Sequence, residues 1–512
     1  MSVRVPALFV LIFLAFAPVI AQNGAPTEFC GTHDRSAWLD AYQSGKIAPV
    51  PKSLELQYVP VHLTLLGDDD GVGYADPLTV LQSFELLNED FAKINVRFYI
   101  DNDIDYLNST LYYDHDFNGG RDLLRQYNRQ NTVNSYVVGG AAGACGYYTR
   151  GSNVNDGSDG IVLDIDCING IDRTWSHEVG HFFSLPHTFY GWESKEDIAN
   201  VDAFDKPAPA TLNLGGQTVQ VEKVDGSNCE TAADRFCDTK PDYLPERWRC
   251  DEFGYYPDSL LDPDSTRFAV SASNIMSYAY DGCVEEFSPE QITAMNTNLA
   301  GRAGLGTTDV PDFAPAAAED VDLLSPTYNE TVDYSNVVEL VWNAVPNADF
   351  YLVQLNRSFD FDGAVTFSFF TSDTSAVIRD ILDPDRRYFW RVRPVNRYDV
   401  SGDFSATGQF RNGSTALSTA TIDPGLDAAI RVNPNPVAGG AELLVQGAEL
   451  GRGTARLQLF NAAGSEVYRR EGLSVTDQLT VSVPTTGLAA GIYFLHFSLE
   501  GKMLTRRVVV TP

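Results

Sequence analysis

Three of the chain's seven histidines fall within the stretch HEVGHFFSLPH, which begins at His177 and ends at His187. His177 and His181 are four residues apart, so on a helix they lie on one face and can bind one metal ion. His187 is too far along for the same face, so we expect the chain to turn near Ser184, before Pro186. Three neutral imidazoles with a fourth position left for water are typical of a catalytic zinc site.

Glu178 is next to a predicted ligand without sharing its helix face. Its carboxylate is therefore placed to act as the general base that activates a zinc-bound water, and then to pass the proton to a leaving amine. That is the chemistry of peptide-bond hydrolysis. The alternative is that these are ordinary histidines of an amphipathic helix, since short motifs recur by chance, but the third histidine weighs against it.

The segments around this stretch alternate between strand-like and helix-like periods. LQYVPVHLTLL predicts a strand, PLTVLQSFELLNEDFAKIN an amphipathic helix, and VRFYI a second strand. GIVLDID predicts a further strand shortly before the histidine helix. The pattern predicts a catalytic domain over residues 53–305, an α+β fold with a mixed, twisted sheet plus helices.

Two all-β sandwich domains are expected after this domain. A Pro/Ala/Asp-rich linker follows Leu305, and residues 320–412 then carry short aromatic and β-branched strands such as VELVW and RRYFWRVRPVN. After a second linker, alternating strands fill residues 425–512. In the first of these segments we find no catalytic constellation, so a spacer or adhesion module is its best interpretation.

Residues 1–21 predict a secretory signal peptide: a basic Arg4, the apolar run ALFVLIFLAFAPVI and a small-residue pattern that ends at Ala21. A membrane anchor is the weaker alternative, because a proline interrupts a run that is short for a bilayer span. The net charge of −33 repels phosphate backbones and anionic lipids. We therefore expect an exported protein with no nucleic acid partner and no transmembrane anchor once it is mature.

The histidine stretch resembles the extended zinc motif of the metzincins, H-E-x-x-H-x-x-G-x-x-H, with Ser184 in place of the glycine. NIMSYAY, which contains Met276, resembles their methionine turn. Within the metzincins, these segments together with VDGSNCETAADRFCDT and the early YVPVHLTLL and LNEDFAKINVRF are similar to the pappalysins, over about residues 54 to 300. The resemblance implies zinc as the cofactor and a protein or peptide as the substrate, lying antiparallel to an edge strand.

The resemblance also implies roles for two residues near the methionine turn. Tyr278 is placed to stabilise the tetrahedral intermediate through its hydroxyl group, although a packed aromatic ring is the alternative. Met276 is expected to pack beneath the ligands without binding the metal. Ser184 departs from the pattern, because glycine takes a positive φ without strain whereas serine costs about 1 kcal/mol there. We expect zinc binding to offset that cost and the site to be intact.

Seven cysteines in an exported chain indicate disulfides with one cysteine left over. Six cysteines allow 15 connectivities, so the residues alone leave the pairing open. The resemblance implies an interleaved arrangement, in which the expected pairs are Cys229 with Cys250, Cys237 with Cys283, and Cys145 with Cys167.

Cys30 lies in EFCGTHD, which is similar to a stretch of some pappalysin precursors whose thiolate binds the zinc. Such a ligand would displace the catalytic water and keep the precursor latent. An unpaired or intermolecular cysteine is the alternative. Residues 22–52 are then a pro-segment, removed by a cleavage that we expect in AYQSGKIAPVPKS.

Asp234, Asp238 and Thr239 match a loop that binds calcium in the family, and oxygen ligands suit this cation. A solvated acidic loop is nearly as good an interpretation. Pappalysins that prefer arginine after the scissile bond carry an aspartate directly before the last cysteine of the domain. This chain has Gly282 there, preceded by Asp281, so an arginine preference stays open.

Residues 320–412 resemble a fibronectin type III domain through the spacing of Trp342, Tyr351 and YFWRVR. The segment 425–512 is similar to the C-terminal sorting domain of the type IX secretion system, which implies the outer-membrane secretion machinery as a partner and a secreted or cell-surface location. We therefore expect a secreted, latent zinc metalloendopeptidase. The alternatives are a catalytically weak surface binding or adhesion protein and a zinc hydrolase of non-peptide amides.

Overall fold

The computed structural model describes residues 26–151, 159–195, 198–333, 335–361, 367–379, 382–414, 426, 429–448, 450–461, 466–489, 491–499 and 502–511. The predicted signal peptide lies outside the described residues. The chain divides into two compact units: the first contains Met1–Thr331, Glu339–Ile378 and Arg386–Arg411, and the second contains Val332–Val338, Arg379–Asp385 and Asn412–Pro512. Within the described residues, every helix is too short or too polar to span a bilayer.

The helices and strands follow one another in the order that the sequence periods predict. The helices are α1 (Ala37–Gln43), α2 (Pro77–Ala92), α3 (Thr110–Tyr113), α4 (Phe117–Tyr127), α5 (Thr174–Phe182) and α6 (Pro289–Gly301). The strands up to the histidine helix are β1 (Glu28–Cys30), β2 (Gln57–Gly67), β3 (Val96–Ile100), β4 (Asp105–Asn108), β5 (Asp114–His115), β6 (Val133–Val138), β7 (Gly140–Ala141), β8 (Ala144–Thr149) and β9 (Gly160–Asp164).

Strands β1 to β9 form one mixed sheet with the order β3-β2-β6-β9-β8-β7-β5, in which β4 pairs with β2 and β1 with β8. Strands β2, β3, β6 and β9 run parallel, whereas β8 is antiparallel to β9. Helices α2 and α5 cover one face of the sheet, and α4 covers the other. The mixed α+β character predicted for this region is confirmed.

Both faces of the sheet are apolar, because helices cover both. On β6, Val133 and Val137 join the core beneath α2 and α5, and Tyr136 and Val138 join the core beneath α4. Since successive side chains of a strand point to opposite faces, β6 must carry apolar residues toward both faces, and four of its six residues are apolar or aromatic. This layering holds α5, the histidine helix, firmly against the sheet.

The disulfides differ from the predicted interleaved pairing. The structure joins Cys229 to Cys237 and Cys250 to Cys283, and joins Cys145 to Cys167 as expected. The prediction for the four later cysteines was wrong, because two successive turns, closed by hydrogen bonds from Ala232 N–H to the Asn228 carbonyl and from Arg235 N–H to the Ala232 carbonyl, bring Cys237 back to Cys229, with their Cα atoms 5.0 Å apart. Cys250 is held next to Cys283 instead, since backbone bonds of Trp248 to Tyr278 and Tyr280 run alongside it.

Between the histidine helix and residue 411, shorter strands are joined by long irregular segments. These strands are β10 (Thr211–Leu214), β11 (Gln217–Gln220), β12 (Leu260–Leu261), β13 (Arg267–Phe268), β14 (Leu323–Ser325), β15 (Glu330–Thr331), β16 (Val337–Trp342), β17 (Phe350–Asn356), β18 (Phe367–Thr371), β19 (Ser375–Arg379), β20 (Arg387–Val395) and β21 (Gly408–Arg411).

Strands β14 to β21 form two sheets, ordered β14-β16-β19 and β15-β21-β20-β17-β18. Trp342 of the smaller sheet packs against Tyr351 of the larger one, with ring centroids 5.5 Å apart. A Cβ atom on Gly408 would meet Trp390 and Leu323, so the two sheets are close there. This is the β-sandwich expected for the segment.

The second unit is a separate all-β body with its own apolar core. Its strands within residues 430–511 form two sheets, ordered β22-β24-β27 and β23-β29-β28-β25-β26. They are β22 (Ile430–Asn433), β23 (Val437–Ala438), β24 (Glu442–Gly447), β25 (Arg452–Asn461), β26 (Glu466–Thr476), β27 (Leu479–Pro484), β28 (Gly491–Leu499) and β29 (Lys502–Thr511).

Candidate metal centre

Helix α5 is buried along its whole length, and specific contacts fix its position. Trp175 packs edge-on against Phe84 of α2, with ring centroids 5.5 Å apart. The Ser176 hydroxyl donates to Asp90 of α2 over 2.6 Å. Because these contacts prevent the helix from rotating, the face that carries His177 and His181 has a defined direction.

The chain turns at Ser184, as the motif spacing predicts. Ser184 has φ 75°, in the left-handed region, and the Leu185 N–H donates to the Gly180 carbonyl over 3.0 Å. The Ser184 hydroxyl accepts a hydrogen bond of 3.1 Å from Asn298 Nδ2. The turn ends the helix and returns His187 to the other two histidines.

Each of the three imidazoles points its Nδ1 atom at an acceptor oxygen. The pairs are His177 with the Ile275 carbonyl at 2.7 Å, His181 with the Leu185 carbonyl at 2.8 Å, and His187 with Glu193 Oε1 at 3.2 Å. An Nδ1–H that donates to oxygen leaves Nε2 without a proton, which is the form that binds a metal.

The three Nε2 atoms and the Cys30 thiol converge, with all four ligand atoms within 4.8 Å of one another. His181 Nε2 lies 3.2 Å from His187 Nε2 and 3.4 Å from Cys30 Sγ. A tetrahedral zinc ion with Zn–N bonds of about 2.0–2.1 Å would place its nitrogen ligands roughly 3.3 Å apart. His177 Nε2 is buried without a hydrogen-bond partner. The residues therefore fit a zinc ion.

Burial fixes the protonation of this cluster. It lowers the pKa of His177 to about 4 and those of His181 and His187 well below the usual value, so all three rings are neutral near pH 7. Burial, followed by the charge of Glu178, raises the pKa of the Cys30 thiol. A divalent cation on the histidines would lower the pKa of the Cys30 thiol, because the thiolate is the form that binds metal.

Glu178 is fully buried next to Cys30. Its Oε2 atom accepts a 3.3 Å hydrogen bond from the Thr32 hydroxyl, and its Oε1 atom has no hydrogen-bond partner. Burial raises the pKa of this carboxyl group to about 8. A divalent cation on the neighbouring histidines would favour the ionised form of this group, and its free Oε1 atom could then accept a proton.

Tyr278 and Met276 both lie close to the histidine cluster, with different neighbours. The Tyr278 hydroxyl donates to the Cys30 carbonyl over 3.1 Å, and its ring centroid lies 4.9 Å from that of His187. Met276 is fully buried, and a Cβ atom on Gly180 would collide with its sulfur atom. Tyr278 thus reaches a carbonyl oxygen at the cluster, while Met276 packs directly against α5.

The segment that carries Cys30 lies along the edge of the sheet. Strand β1 pairs with β8 in the parallel direction, with Glu28 opposite Ala144 and Cys30 opposite Gly146. The Thr32 hydroxyl then accepts from the backbone N–H of Tyr148 over 2.8 Å. This extended pairing places the Cys30 thiol over the histidines.

Farther along, Arg35 fixes the segment a second time. The Arg35 guanidinium donates to the Asp234 carbonyl over 3.1 Å, pairs with Asp40 and lies over the ring of Tyr190. Burial is the main cause that lowers its pKa. The side chain is only 5% exposed, so the segment is packed against the domain and not merely laid on it.

Two buried acids that support the histidines carry no recognisable pattern in the sequence. Glu193 binds His187 and also accepts the Gly191 N–H over 2.6 Å, and burial raises its pKa to about 7. Asp242 accepts hydroxyl hydrogen bonds from Thr188 at 2.7 Å and Ser277 at 2.8 Å. In the sequence, Glu193 is distinguished only as a lone acidic residue in the aromatic stretch after His187, which is a weak signal for a buried partner of that histidine.

Two of the three residues predicted to bind calcium are in contact with each other, and the third forms hydrogen bonds at the start of α6. Both carboxylate oxygens of Asp238 accept hydrogen bonds at the start of α6, from the Ser288 hydroxyl and the Glu290 N–H. The Thr239 hydroxyl donates to Asp234 Oδ1 over 3.1 Å, which leaves only Asp234 Oδ2 unpartnered. The calcium site therefore stays a prediction.

Comparison with protein families finds one match, at the C-terminal end of the chain. Residues 431–511 match the family described as the secretion system C-terminal sorting domain. The matched range lies within the segment 425–512 for which the sequence predicts this domain, and it coincides with the second unit's strands.

Curated relatives match about half of the chain's length. The chain is 24% identical over 319 residues to an extracellular metalloprotease of Pyricularia oryzae, a match that covers 57% of this chain and 96% of that protein. An extracellular metalloprotease of Verticillium alfalfae is 26% identical over 242 residues, which cover 45% of this chain and 72% of the relative.

Among solved structures, the FN1–FN3 domains of chicken CNTN1 are similar at 14% identity and a TM-score of 0.17, over 39% of this chain and 70% of that one. A TM-score this low carries no argument about this chain. The sorting-domain match and the extracellular relatives together confirm the prediction that the protein is exported, to the cell surface or beyond it.

Proposed function

We propose that this protein is a secreted zinc metalloendopeptidase of the pappalysin type, within the metzincins, and that it is made as a latent precursor. The relatives named extracellular metalloproteases support the metalloprotease part of the proposal. The observation that carries it is the convergence of three unprotonated Nε2 atoms next to Glu178, beside the strand β8 on which the Cys30 segment lies.

His177, His181 and His187 would hold the zinc ion, which supplies a Lewis acid and makes water nucleophilic near neutral pH. Glu178 accepts the proton of the attacking water through its free Oε1 atom and delivers it to the leaving amine. Tyr278 donates a hydrogen bond to the oxygen of the scissile carbonyl, as it does to the Cys30 carbonyl in this structure.

Strand β8 is the edge along which we expect the substrate to bind. An extended peptide can add to this edge by main-chain hydrogen bonds, as β1 does here. In the proposed complex the substrate runs antiparallel to β8. The pro-segment runs parallel to β8, so its peptide bonds are presented in the reverse direction and are poorly placed for attack.

The latency proposal rests on Cys30 and on the contacts that follow it. The thiol completes a four-ligand set with the histidines and takes the position that water needs. The Thr32 hydroxyl occupies one oxygen of Glu178 as well. Residues 44–46 and 48–52 are mostly exposed, with Lys46 and Lys52 accessible, which suits the proposed activation cleavage in this stretch.

The remaining finer assignments are proposals too. The second unit directs the chain to the type IX secretion machinery of the outer membrane, in line with the family it matches. The sandwich of residues 320–412 serves as a spacer of the fibronectin type III kind. Its contacts to the catalytic region include Arg97 with the Tyr398 carbonyl at 2.8 Å and Arg393 with Glu85 at 2.9 Å.

The test uses the full-length protein loaded with zinc, before and after limited trypsin cleavage at Lys46 or Lys52, with casein as the substrate. We expect one zinc per chain in both forms and hydrolysis only after cleavage. A zinc chelator and Glu178→Gln should each abolish it. Glu252→Gln, which changes an exposed acid in the same way, should leave it intact.

Cys30→Ala in the uncleaved chain is expected to raise the casein activity above that of the wild-type precursor, because it removes the fourth ligand. If the cleaved protein keeps its zinc yet hydrolyses neither casein nor a broad peptide library, the peptidase proposal fails. The surface binding protein then becomes the better account.

A further inference from the structure

The side chain just before Cys30 fills a pocket next to the histidines. Phe29 is only 8% exposed, and its ring centroid lies 5.2 Å from that of His177 and 5.1 Å from that of Tyr278. The guanidinium carbon of Arg247 lies 4.1 Å from the centroid of the same ring. The pocket thus has two aromatic-type walls and one cationic wall.

Strand direction tells which substrate residue would use this pocket. Cys30 lies over the histidines, and Phe29 precedes it on a strand that runs parallel to β8. A substrate that runs antiparallel to β8 advances in the opposite direction. The residue that follows its scissile bond, the P1′ residue, therefore lies where Phe29 lies.

The acid that pairs with Arg247 at this pocket is already neutralised. The Asp281 carboxylate accepts the Arg173 N–H over 2.7 Å and forms an ion pair with Arg247, and the residue is only 8% exposed. The Arg173 guanidinium donates to the Asp281 carbonyl over 2.6 Å. A cationic substrate side chain would meet the Arg247 guanidinium before it reached the carboxylate of Asp281.

Resting on the function proposed above, we infer that this pocket selects an aromatic P1′ residue and that Arg247 sets the preference. The guanidinium over the ring provides a cation–π contact for an aromatic side chain and repels a lysine or arginine. Its ion pair with Asp281 lowers its attraction for an acidic side chain. Phe29 is then the chain's own occupant of the pocket that the substrate uses.

The first arm of the test measures how well the pocket holds Phe29, without any proteolysis. In the full-length, zinc-loaded precursor, a thiol reagent reports how often Cys30 leaves the cluster. Phe29→Tyr should react at the wild-type rate, and Phe29→Arg about tenfold faster or more. If Phe29→Arg and Phe29→Glu are as well protected as the wild type, the pocket does not discriminate and the inference is wrong.

Arg247→Ala tests whether Arg247 sets the preference of the pocket. It removes the cationic wall and frees the Asp281 carboxylate, so Phe29→Arg combined with Arg247→Ala should regain the protection that Phe29→Arg alone loses. Arg249→Ala is the matched control, since Arg249 is an exposed arginine that lies over the ring of Tyr280, as Arg247 also does. If Arg249→Ala restores protection equally, a general charge effect replaces the specific one.

The second arm reads the cleavage sites of the trypsin-activated protein in a peptide library. Phenylalanine, tyrosine or tryptophan should be favoured after the scissile bond by about tenfold or more over arginine. A preference for arginine or for an acidic residue overturns the inference while the peptidase proposal stands. If no peptide is cleaved, the peptidase proposal fails, and the thiol measurements alone decide whether the pocket discriminates.

Discussion

Ser184 sustains the turn between α5 and His187 although it takes a conformation that favours glycine, with φ 75°. The Asn298 side chain is oriented to donate to the Ser184 hydroxyl. Its Oδ1 atom accepts a hydrogen bond from Arg302, which directs Nδ2 toward the serine. Ser184→Ala keeps the strain and leaves a buried donor unpaired, so we expect the free energy of unfolding to fall by about 1–3 kcal/mol.

Ser184→Gly is the matched variant, because it loses the same hydrogen bond but relieves a strain of about 1 kcal/mol. We expect it to be more stable than Ser184→Ala and less stable than the wild type. Urea unfolding of the zinc-loaded precursor measures the order. An alanine variant as stable as the wild type would mean that the Asn298 hydrogen bond contributes nothing.

Glu193 is the residue whose removal should affect the metal most without touching it. It holds the Nδ1 side of His187 over 3.2 Å, and partners of this kind typically contribute 10–100-fold to metal affinity. We expect Glu193→Ala to weaken zinc binding by about that factor, and Glu193→Gln by less, since its amide oxygen can still accept. Competition with a fluorescent chelator measures both; equal affinities for all three proteins would contradict the role.

The residues that the sequence identified and those it missed differ in how local their signals are. His177, His181, His187 and the turn at Ser184 follow one another in a single stretch, and their spacing alone places them around one ion. Asp242 joins the segment after His187 to the methionine turn through contacts that are distant in sequence. No spacing rule could point to such a residue, because only the fold creates its contacts.

At the scale of elements, α5 and the methionine turn are fitted to each other through Gly180. Glycine costs about 1 kcal/mol in a helix relative to alanine, so Gly180→Ala would stabilise an isolated helix. Here the added Cβ atom would collide with the Met276 sulfur, and overpacking typically costs 1–3 kcal/mol. We expect net destabilisation and weaker zinc binding, because α5 must move away from its neighbours.

Gly301→Ala in α6 provides the control, because a Cβ atom there meets no other atom within 4 Å. It should be neutral or slightly stabilising. Unfolding midpoints and zinc affinities of the two variants give the comparison. If Gly180→Ala is as stable as Gly301→Ala, the close packing between α5 and the methionine turn contributes nothing to the stability of the fold.

Element prediction succeeded where periodicity is local and failed where contacts depend on an irregular loop or on a distant strand. The runs that became β2, α2, β3 and β9 show their period within a few turns or residues, so their types followed from the sequence. The pairing of Cys229 with Cys237 depends on how an irregular loop folds back, and the loop has no period to read. The placement of β1 on β8 likewise depends on a sheet edge far along the chain.

At the scale of the whole molecule, metal binding should stabilise one unit and leave the other unchanged. The histidine cluster lies entirely in the first compact unit, and the second has its own core. A ligand that binds only the folded state stabilises it by about 2.7 kcal/mol at a hundred times its Kd. We therefore expect calorimetry of the precursor to show two transitions, of which a zinc chelator lowers only one, by roughly 3 °C or more.

His177→Ala should lower the same transition and make it insensitive to the chelator, since the variant lacks one of the converging Nε2 atoms. His496→Ala, a histidine of the second unit, should leave the chelator response as it is in the wild type. If calorimetry shows a single transition and the chelator shifts it, the two units unfold as one and the metal stabilises the entire chain. If it shifts neither, the histidine cluster binds no metal tightly in the precursor, and the zinc assignment is wrong.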